Sequence, residues 1–242
     1  KCLMPINGVP LMEYWISALV KANISNIFVN SHYKADILSE YLSRDRFSGL
    51  VTNLYEKNLL GTAGTIRKNK TVFMGKPLLL IHADNWSEFD IHGFVNSASR
   101  LKNADSNILM LTFETEKPED CGIVRVNENK IVEKFYEKKQ NINLKLANGA
   151  IYFLDKSVVD WICSNDSVDD FSCDVIPKFL GRILTWHNTG YHKDIGSLQM
   201  LIQAQKDKPP RLFWQNDDEW LKKFKFNPIH TELKKAYEHN KK

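Results

Sequence analysis

Two aspartates stand where phosphate chemistry assisted by a metal would need carboxylates. Asp84 follows the apolar run Pro77-Leu78-Leu79-Leu80-Ile81 through His82-Ala83. It is therefore expected where a buried strand runs out at the carboxyl edge of a parallel sheet, the place where open α/β folds bind ligands. Asp194 lies in Gly190-Tyr191-His192-Lys193-Asp194-Ile195-Gly196-Ser197, between two glycines and just before a helix start. Local geometry alone explains either residue: an Asx turn for Asp84, a helix cap for Asp194 or Ser197. A pair of carboxylates from distant segments also suits one Mg²⁺, which takes few protein ligands and completes its shell with phosphate and water. Such an ion neutralises the charge that builds on phosphate oxygens as a phosphoryl group reacts.

Three further segments carry polar candidates, two of them beside glycines. In Glu56-Lys57-Asn58-Leu59-Leu60-Gly61-Thr62-Ala63-Gly64, the glycines around Thr62-Ala63 let backbone approach a flat ligand and present N–H groups at a helix N-terminus. A tight strand-to-helix turn accounts for them equally well. Glu137-Lys138 follows a hairpin and reads either as a solvated charge pair or as a ligand grip. Asn148-Gly149-Ala150-Ile151-Tyr152 places an amide and a glycine at the head of a strand. His187 and His192 have no third His or Cys at ligand spacing, which sets zinc aside.

The elements that must position these groups alternate in type. Leu11, Met12, Trp15, Ile16, Leu19 and Val20 repeat at helical spacing after Pro10, and Ile27-Phe28-Val29 follows as a strand. Ile37, Leu38, Tyr41 and Leu42 mark a second helix, residues 50–55 an extended segment, and 77–81 and 107–113 two apolar strands either side of a helix near 91–102. Strands alternating with helices imply βαβ units and a mostly parallel sheet covered on both faces. After Pro118, residues 122–126 and 131–135 flank Asn127-Glu128-Asn129-Lys130 as a hairpin. A strand over 147–154, helices over 156–163 and 171–180, a strand over 183–186 and a helix over 198–205 complete the pattern. From Lys206 on, Pro209-Pro210, many lysines and the aromatics Phe213, Trp214, Trp220, Phe224 and Phe226 suggest a helical appendage that docks on the body or on a second copy of the chain.

Composition narrows the class. With 43% hydrophobic and 26% charged residues, 242 residues can bury an ordinary core without disulfides. The net charge of +4 is too small and too scattered for a nucleic-acid binder. Cys2, Cys121, Cys163 and Cys173 form no Cys-x-x-Cys pair and read as reduced thiols of a cytoplasmic protein. No apolar run approaches the ~18 residues of a membrane span.

In order along the chain, Lys1-Cys2-Leu3-Met4-Pro5-Ile6-Asn7-Gly8-Val9-Pro10-Leu11, Glu56 to Gly64, His82-Ala83-Asp84-Asn85, Cys121-Gly122-Ile123-Val124, Glu137-Lys138, Asn148 to Tyr152 and Tyr191 to Ser197 resemble the sugar-phosphate nucleotidyltransferase family, most closely its mannose-1-phosphate guanylyltransferase-like branch. The resemblance spans residues 1–205 and implies an α/β, Rossmann-like three-layer fold with a mixed, mostly parallel sheet. It implies Mg²⁺ as cofactor, and a nucleoside triphosphate, GTP favoured, and a sugar 1-phosphate as substrates. The sugar-phosphate oxygen would attack the α-phosphate in line and pyrophosphate would leave, with no covalent enzyme intermediate. By position, Asp84 and Asp194 resemble the metal-holding pair, and Lys1 the lysine that contacts the reacting phosphates. Lys138 resembles the lysine that grips the sugar phosphate, and Glu137 the carboxylate that binds sugar hydroxyls. Gly122 and Asn148 resemble further sugar contacts; Glu56, Gly61, Thr62 and Ala63 resemble the base-binding segment.

Several residues depart from the family pattern. Lys139 stands where proline usually follows Glu-Lys, His82-Ala83 where glycine often precedes the aspartate, and Cys121 where an aromatic is common. The glycine-rich, arginine-bearing loop expected ahead of Lys1 implies roughly 15–30 further residues, with backbone N–H groups that would cradle the triphosphate. Uridylyl or thymidylyl transfer, and a catalytically silent relative that binds nucleotide sugars, are the alternatives. Retention of both aspartates speaks against the silent relative. A metal-dependent glycosyltransferase would favour a paired-acid motif where Asp84 is followed by Asn85-Trp86.

Overall fold

The computed structural model describes residues 1–140, 142–215 and 218–239. In chain order the strands are β1 (Pro5–Ile6), β2 (Val9–Pro10), β3 (Ile27–Ser31), β4 (Val51–Tyr55), β5 (Leu78–Ile81), β6 (Asn85–Ser87), β7 (Ile108–Glu114), β8 (Gly122–Val126), β9 (Val132–Glu137), β10 (Leu146–Leu154), β11 (Ile183–His187) and β12 (His192–Asp194). The helices are α1 (Leu11–Lys21), α2 (Ala35–Leu42), α3 (Thr62–Lys68), α4 (Lys70–Phe73), α5 (Ile91–Ser97), α6 (Lys156–Cys163), α7 (Ile176–Lys178), α8 (Leu198–Ala204), α9 (Glu219–Phe224) and α10 (Ile229–His239). The chain divides into two compact units, one of residues 1–58, 83–91 and Gly190 onward, the other of 59–82 and 92–189.

The first unit is built on α1. Its buried stripe of Leu11, Met12, Trp15, Ile16 and Leu19 follows the spacing read in the sequence. Asn23 ends the helix in the left-handed region (φ 60°), where the Asn23 and Ile24 amides donate to the Val20 and Leu19 carbonyls. That is a Schellman stop with asparagine in the usual glycine position. β1 pairs with β2 antiparallel, β3 with β4 parallel, and β6 with β12 antiparallel.

Among the described residues beyond 206, Trp214, Asp218 and Trp220 pack on this same unit, one of the two docking modes expected for the tail. Glu13, wholly buried on α1, accepts from the Tyr41 hydroxyl at 2.7 Å, from Arg44, from Arg46 at 3.2 Å and from the Trp214 indole. Asp218 pairs with both arginines, at 3.0 and 2.8 Å, and Trp220 meets Tyr41 edge to face, with centroids 4.9 Å apart. Burial and the Glu13 carboxylate push the Tyr41 phenol well above its usual range. Glu13→Ala would leave Arg44 buried without its main counter-charge. It should lower stability by about 3–5 kcal/mol, the usual cost of breaking a buried ion pair from one side. Urea unfolding checks this; a change within the ~0.5 kcal/mol typical of surface sites would show that the carboxylate is dispensable.

The second unit is built on a six-stranded sheet in the order β11-β7-β10-β8-β9, with β5 also paired to β10. β5, β7, β8 and β11 run one way and β9 and β10 the other. The sheet is thus mixed, as expected, with most strands sharing one direction. Within it only β7–β11 are parallel neighbours, because β10 lies antiparallel between β7 and the β5/β8 edge. Its core is the near-continuous apolar run Ile108–Leu111 with Ile151, Tyr152 and Leu154, all wholly buried. Some sequence-derived helices shorten. The stretch near 91–102 is α5 followed by a 3₁₀ turn at 98–100, and 171–180 is a π-type turn (Phe171–Val175) leading into α7.

Candidate active site

The two aspartates are brought together by a short ladder that periodicity did not show. Asp84 does not end the apolar strand. β5 stops at Ile81, it pairs antiparallel with β10, and Asp84 occupies the turn that leads into β6. β6 pairs with β12 so that Asp194 lies opposite Asn85, and the Ile195 amide donates to the Asp84 carbonyl at 3.1 Å. One rung of backbone therefore places both carboxylate-bearing residues side by side. α1 holds the ladder in place. The Trp15 indole donates to the Asn85 carbonyl at 2.9 Å, and Tyr14 meets the buried Trp86 ring edge-on, with centroids 5.0 Å apart.

Lys1 completes the group. Its Nζ donates to Asp84 Oδ2 at 3.2 Å, with both side chains partly open to solvent. Asp194 Oδ1 accepts from the Gly196 amide at 2.7 Å, and Ser197, not Asp194, caps α8 by accepting from Met200 N at 3.2 Å. The cap explanation thus belongs to Ser197 and leaves the exposed Asp194 carboxylate without a capping duty. Glycine at 196 leaves the space between these groups open. A Cβ there would lie 3.0 Å from Asp194 Oδ1 and 3.3 Å from Lys1 Nζ. Two hard oxygen donors around an open space, with no third His, Cys, Asp or Glu converging among the described residues, fit an ion that keeps water or phosphate in its shell. His192 points elsewhere: its Nδ1 lies 3.0 Å from Ser87 Oγ, and burial pushes its imidazole down to about 4.

Glu56 follows β4 and is buried, 1% exposed. Its amide donates to Ser31 O at 2.8 Å and its carbonyl meets His32 Nδ1 at 3.0 Å. Its side chain is thus an interior group just past the end of β4. The Gly61–Gly64 turn is also more structural than its glycines suggested, since Thr62, Ala63 and Gly64 already belong to α3. The Asp169 carbonyl takes the Ala63 and Gly64 amides at 2.9 and 3.1 Å, so these two helix N-terminal donors are already satisfied. Gly61 has φ 78°, and a Cβ on it would lie 2.4 Å from that same carbonyl. Gly61→Ala therefore combines a left-handed backbone with a backbone clash and should cost at least about 1–3 kcal/mol. Thermal denaturation reads this out. An unchanged melting temperature would mean that the Asp169 segment moves aside freely.

The remaining candidates gather on β8, β9 and β10. Gly122 pairs across the hairpin with Glu137. A Cβ at 122 would meet the Phe135 ring at 2.7 Å and Glu137 Oε2 at 3.0 Å, so glycine is what lets both side chains lie over β8. Burial raises the Glu137 carboxyl above its usual value; Lys138 opposes this and the Asp170 charge adds to it. Lys138 is exposed and sits at φ 44°, uncommon for a bulky residue, with its amide bonded to Cys121 O at 3.2 Å. β10 carries a bulge between Asn148 and Tyr152, with Ala150 at φ 51°. Asn148 braces it: Oδ1 accepts from Ala150 N at 3.0 Å and Nδ2 donates to the Tyr152 hydroxyl at 2.6 Å. Two left-handed non-glycine residues and a bulge beside a perturbed carboxylate are the kind of local strain that collects at ligand sites.

A family signature described as nucleotidyl transferase matches residues 1–209. The chain belongs to this family. It is 30% identical over 202 residues to the D-glycero-alpha-D-manno-heptose 1-phosphate guanylyltransferase of Campylobacter jejuni, covering 81% of this chain and 85% of that protein. It is 24% identical over 204 residues to the mannose-1-phosphate guanyltransferase of Schizosaccharomyces pombe, and 25% identical over 236 residues to the glucose-1-phosphate adenylyltransferase of Bacillus cytotoxicus. These matches cover 81% and 87% of this chain but only 55% and 62% of those longer proteins. In structure it is similar to HddC from Yersinia pseudotuberculosis, with a TM-score of 0.71, 23% identity and coverage of 84% and 88% of the two chains. The nucleotidyltransferase fold is therefore shared. The reaction class is sugar-1-phosphate nucleotidyl transfer, and among the relatives the base varies.

Within this nucleotidyltransferase, the Asp169-Asp170 segment was not among the residues expected from the sequence, and Tyr152 was expected only as part of a strand head. Asp170 caps the π-type turn by accepting from Cys173 N at 2.7 Å, and its charge reaches both Glu137 and Tyr152. Paired aspartates before Phe171 were a visible cap signal. Their position beside Glu137 depends on long-range folding that no local pattern reports. No helix among the described residues of the nucleotidyltransferase is long and apolar enough to cross a membrane.

Proposed function

We propose that the protein transfers a guanylyl group from GTP to a sugar 1-phosphate of manno configuration, releasing pyrophosphate, with one Mg²⁺ held by Asp84 and Asp194. The observation that carries the reaction is the grouping of Lys1, Asp84 and Asp194 around the open space at Gly196. Bound there, the ion would supply charge neutralisation on phosphate oxygens. Lys1 carries an ammonium for the same phosphates, and its loose pairing with the part-exposed Asp84 is easily exchanged for them. Lys138, exposed and with a left-handed backbone just after β9, holds the sugar phosphate. Glu137, with Gly122 and Asn148 beside it, accepts from sugar hydroxyls.

Support for guanine comes from the guanylyltransferase names of the C. jejuni and S. pombe relatives, and from Glu56 as an acceptor for the N1–H and 2-amino edge. Both of those relatives are named for manno-configured sugars, which supports that choice of acceptor. Gly61 and Thr62, ahead of the two amides bonded to Asp169, contribute backbone beside the base. Pyrophosphate release is the deciding assay, with GTP, ATP, UTP and dTTP crossed against mannose, D-glycero-D-manno-heptose and glucose 1-phosphates. Release with GTP and a manno-configured acceptor is the expected result. Preference for ATP with glucose 1-phosphate would favour the reading suggested by the B. cytotoxicus relative.

A further inference from the structure

The three pieces that bear Lys1, Asp84 and Asp194 meet again one layer back, at the end of α8. Asp207 accepts from the Trp86 indole at 2.9 Å and from Lys193 Nζ at 2.6 Å. Trp86 and Lys193 are direct cross-strand partners in the β6–β12 ladder, next along the chain to Asn85 and Asp194. One carboxylate thus staples the rung adjacent to the one that sets the two aspartates. Strand alternation puts this staple on the face opposite the Asp194 side chain. The same turn of chain reaches the N-terminal segment. Gln205 Oε1 accepts from Asn7 N at 2.8 Å, Gln205 Nε2 donates to Pro5 O at 2.9 Å, and Asn7 Nδ2 donates to Asp207 O at 3.2 Å. The β1–β2 turn that follows Lys1 is held by the residues that hold the ladder. Tyr191 closes the group by stacking on Trp86, with centroids 5.1 Å apart.

We infer that Asp207, supported by Gln205, is a positioning residue for nucleotidyl transfer: it fixes the relative placement of Lys1, Asp84 and Asp194 without touching substrate. The inference rests on the proposed role of that trio. Asp207 and Lys193 are largely shielded, with side chains 16% and 22% exposed, so their attraction is only partly screened by water. A purely structural brace would serve equally well as an apolar contact. A charge pair at this point adds an angular restraint to a three-residue ladder that α1 also holds through Trp15 and Tyr14.

The test uses the full chain, with Mn²⁺ as a spectroscopic stand-in for Mg²⁺. Asp207→Asn keeps an acceptor for the Trp86 N–H but removes the counter-charge of Lys193. Mn²⁺ binding followed by electron paramagnetic resonance should weaken by about 10–100-fold, and kcat should fall by a similar factor, as for other residues that orient metal ligands. KM for the sugar 1-phosphate should not change, and Asp207→Glu should recover part of both losses. Lys193→Met attacks the same pair from the other side and keeps the test open should Asp207→Asn fold poorly. Wild-type Mn²⁺ affinity and kcat in both Asp207→Asn and Lys193→Met, whatever their melting temperatures, would overturn the positioning role alone. Failure of wild-type protein to bind Mn²⁺, or full activity in Asp194→Asn, would overturn the functional reading and this inference with it.

Discussion

Replacing Asp194 with Asn should lower kcat by about 10²–10³-fold, the loss expected when several kcal/mol of charge stabilisation in the transition state is removed. The fold should survive. The contact that Asp194 makes within the protein is acceptance of the Gly196 amide, and an asparagine carbonyl oxygen can accept it equally well. The side chain is exposed, so stability should move by no more than about 0.5 kcal/mol. Asp84→Asn should behave alike, since the pair it loses with the half-open Lys1 is worth about 0–1 kcal/mol. The measurement is steady-state pyrophosphate release at several Mg²⁺ concentrations, with a melting curve on the same sample. Near-normal turnover of Asp194→Asn at ordinary Mg²⁺ would show that the two aspartates do not act as a pair.

The second large effect concerns the base. A site that hydrogen-bonds the N1–H and 2-amino edge of guanine should prefer GTP over UTP and dTTP by roughly 10⁴ in kcat/KM, because the wrong base leaves buried polar groups without partners. Glu56 is the residue to probe, because it is the buried acceptor at the end of β4. Glu56→Gln keeps the size and replaces one acceptor oxygen with a donor, so preference for GTP should fall by at least about tenfold. Competition between GTP and dTTP in one reaction mixture measures it. If Glu56→Gln only lowers the melting temperature and leaves base preference intact, Glu56 is an interior structural carboxylate and the base is read elsewhere.

How much of this could be read in advance depended on whether the pattern was local. α1 was legible because its apolar stripe, Pro10 before it and Asn23 after it all lie within one short stretch. α6 was legible for the same reason, with Asp155 capping by accepting from Ser157 N at 2.7 Å. The six-stranded sheet was legible strand by strand, but not in the antiparallel insertion of β10, which joins segments far apart in sequence. β6 and β12 were not legible at all. Asn85-Trp86-Ser87 and His192-Lys193-Asp194 are three residues each, too short to establish a period of two, and the second is polar throughout. They are strands because Trp15, Tyr14 and Asp207 hold them. The candidate aspartates could be picked out, Asp84 after an apolar run and Asp194 between two glycines, but the rung that joins them could not. The same limit applied at Gly61, whose neighbour across the fold, Asp169, decides what the turn's N–H groups are doing.

The β6–β12 ladder also constrains which changes in chain length this protein can accept. Side chains in a strand alternate between faces, so a single residue inserted or deleted within 85–87 or 192–194 would turn a whole strand over. Asp194 would exchange places with Lys193, and an ammonium would stand where the carboxylate belongs. No substitution elsewhere repairs such a frame error. Length variation among functional descendants of this chain should therefore be absent from two three-residue windows and frequent only outside them.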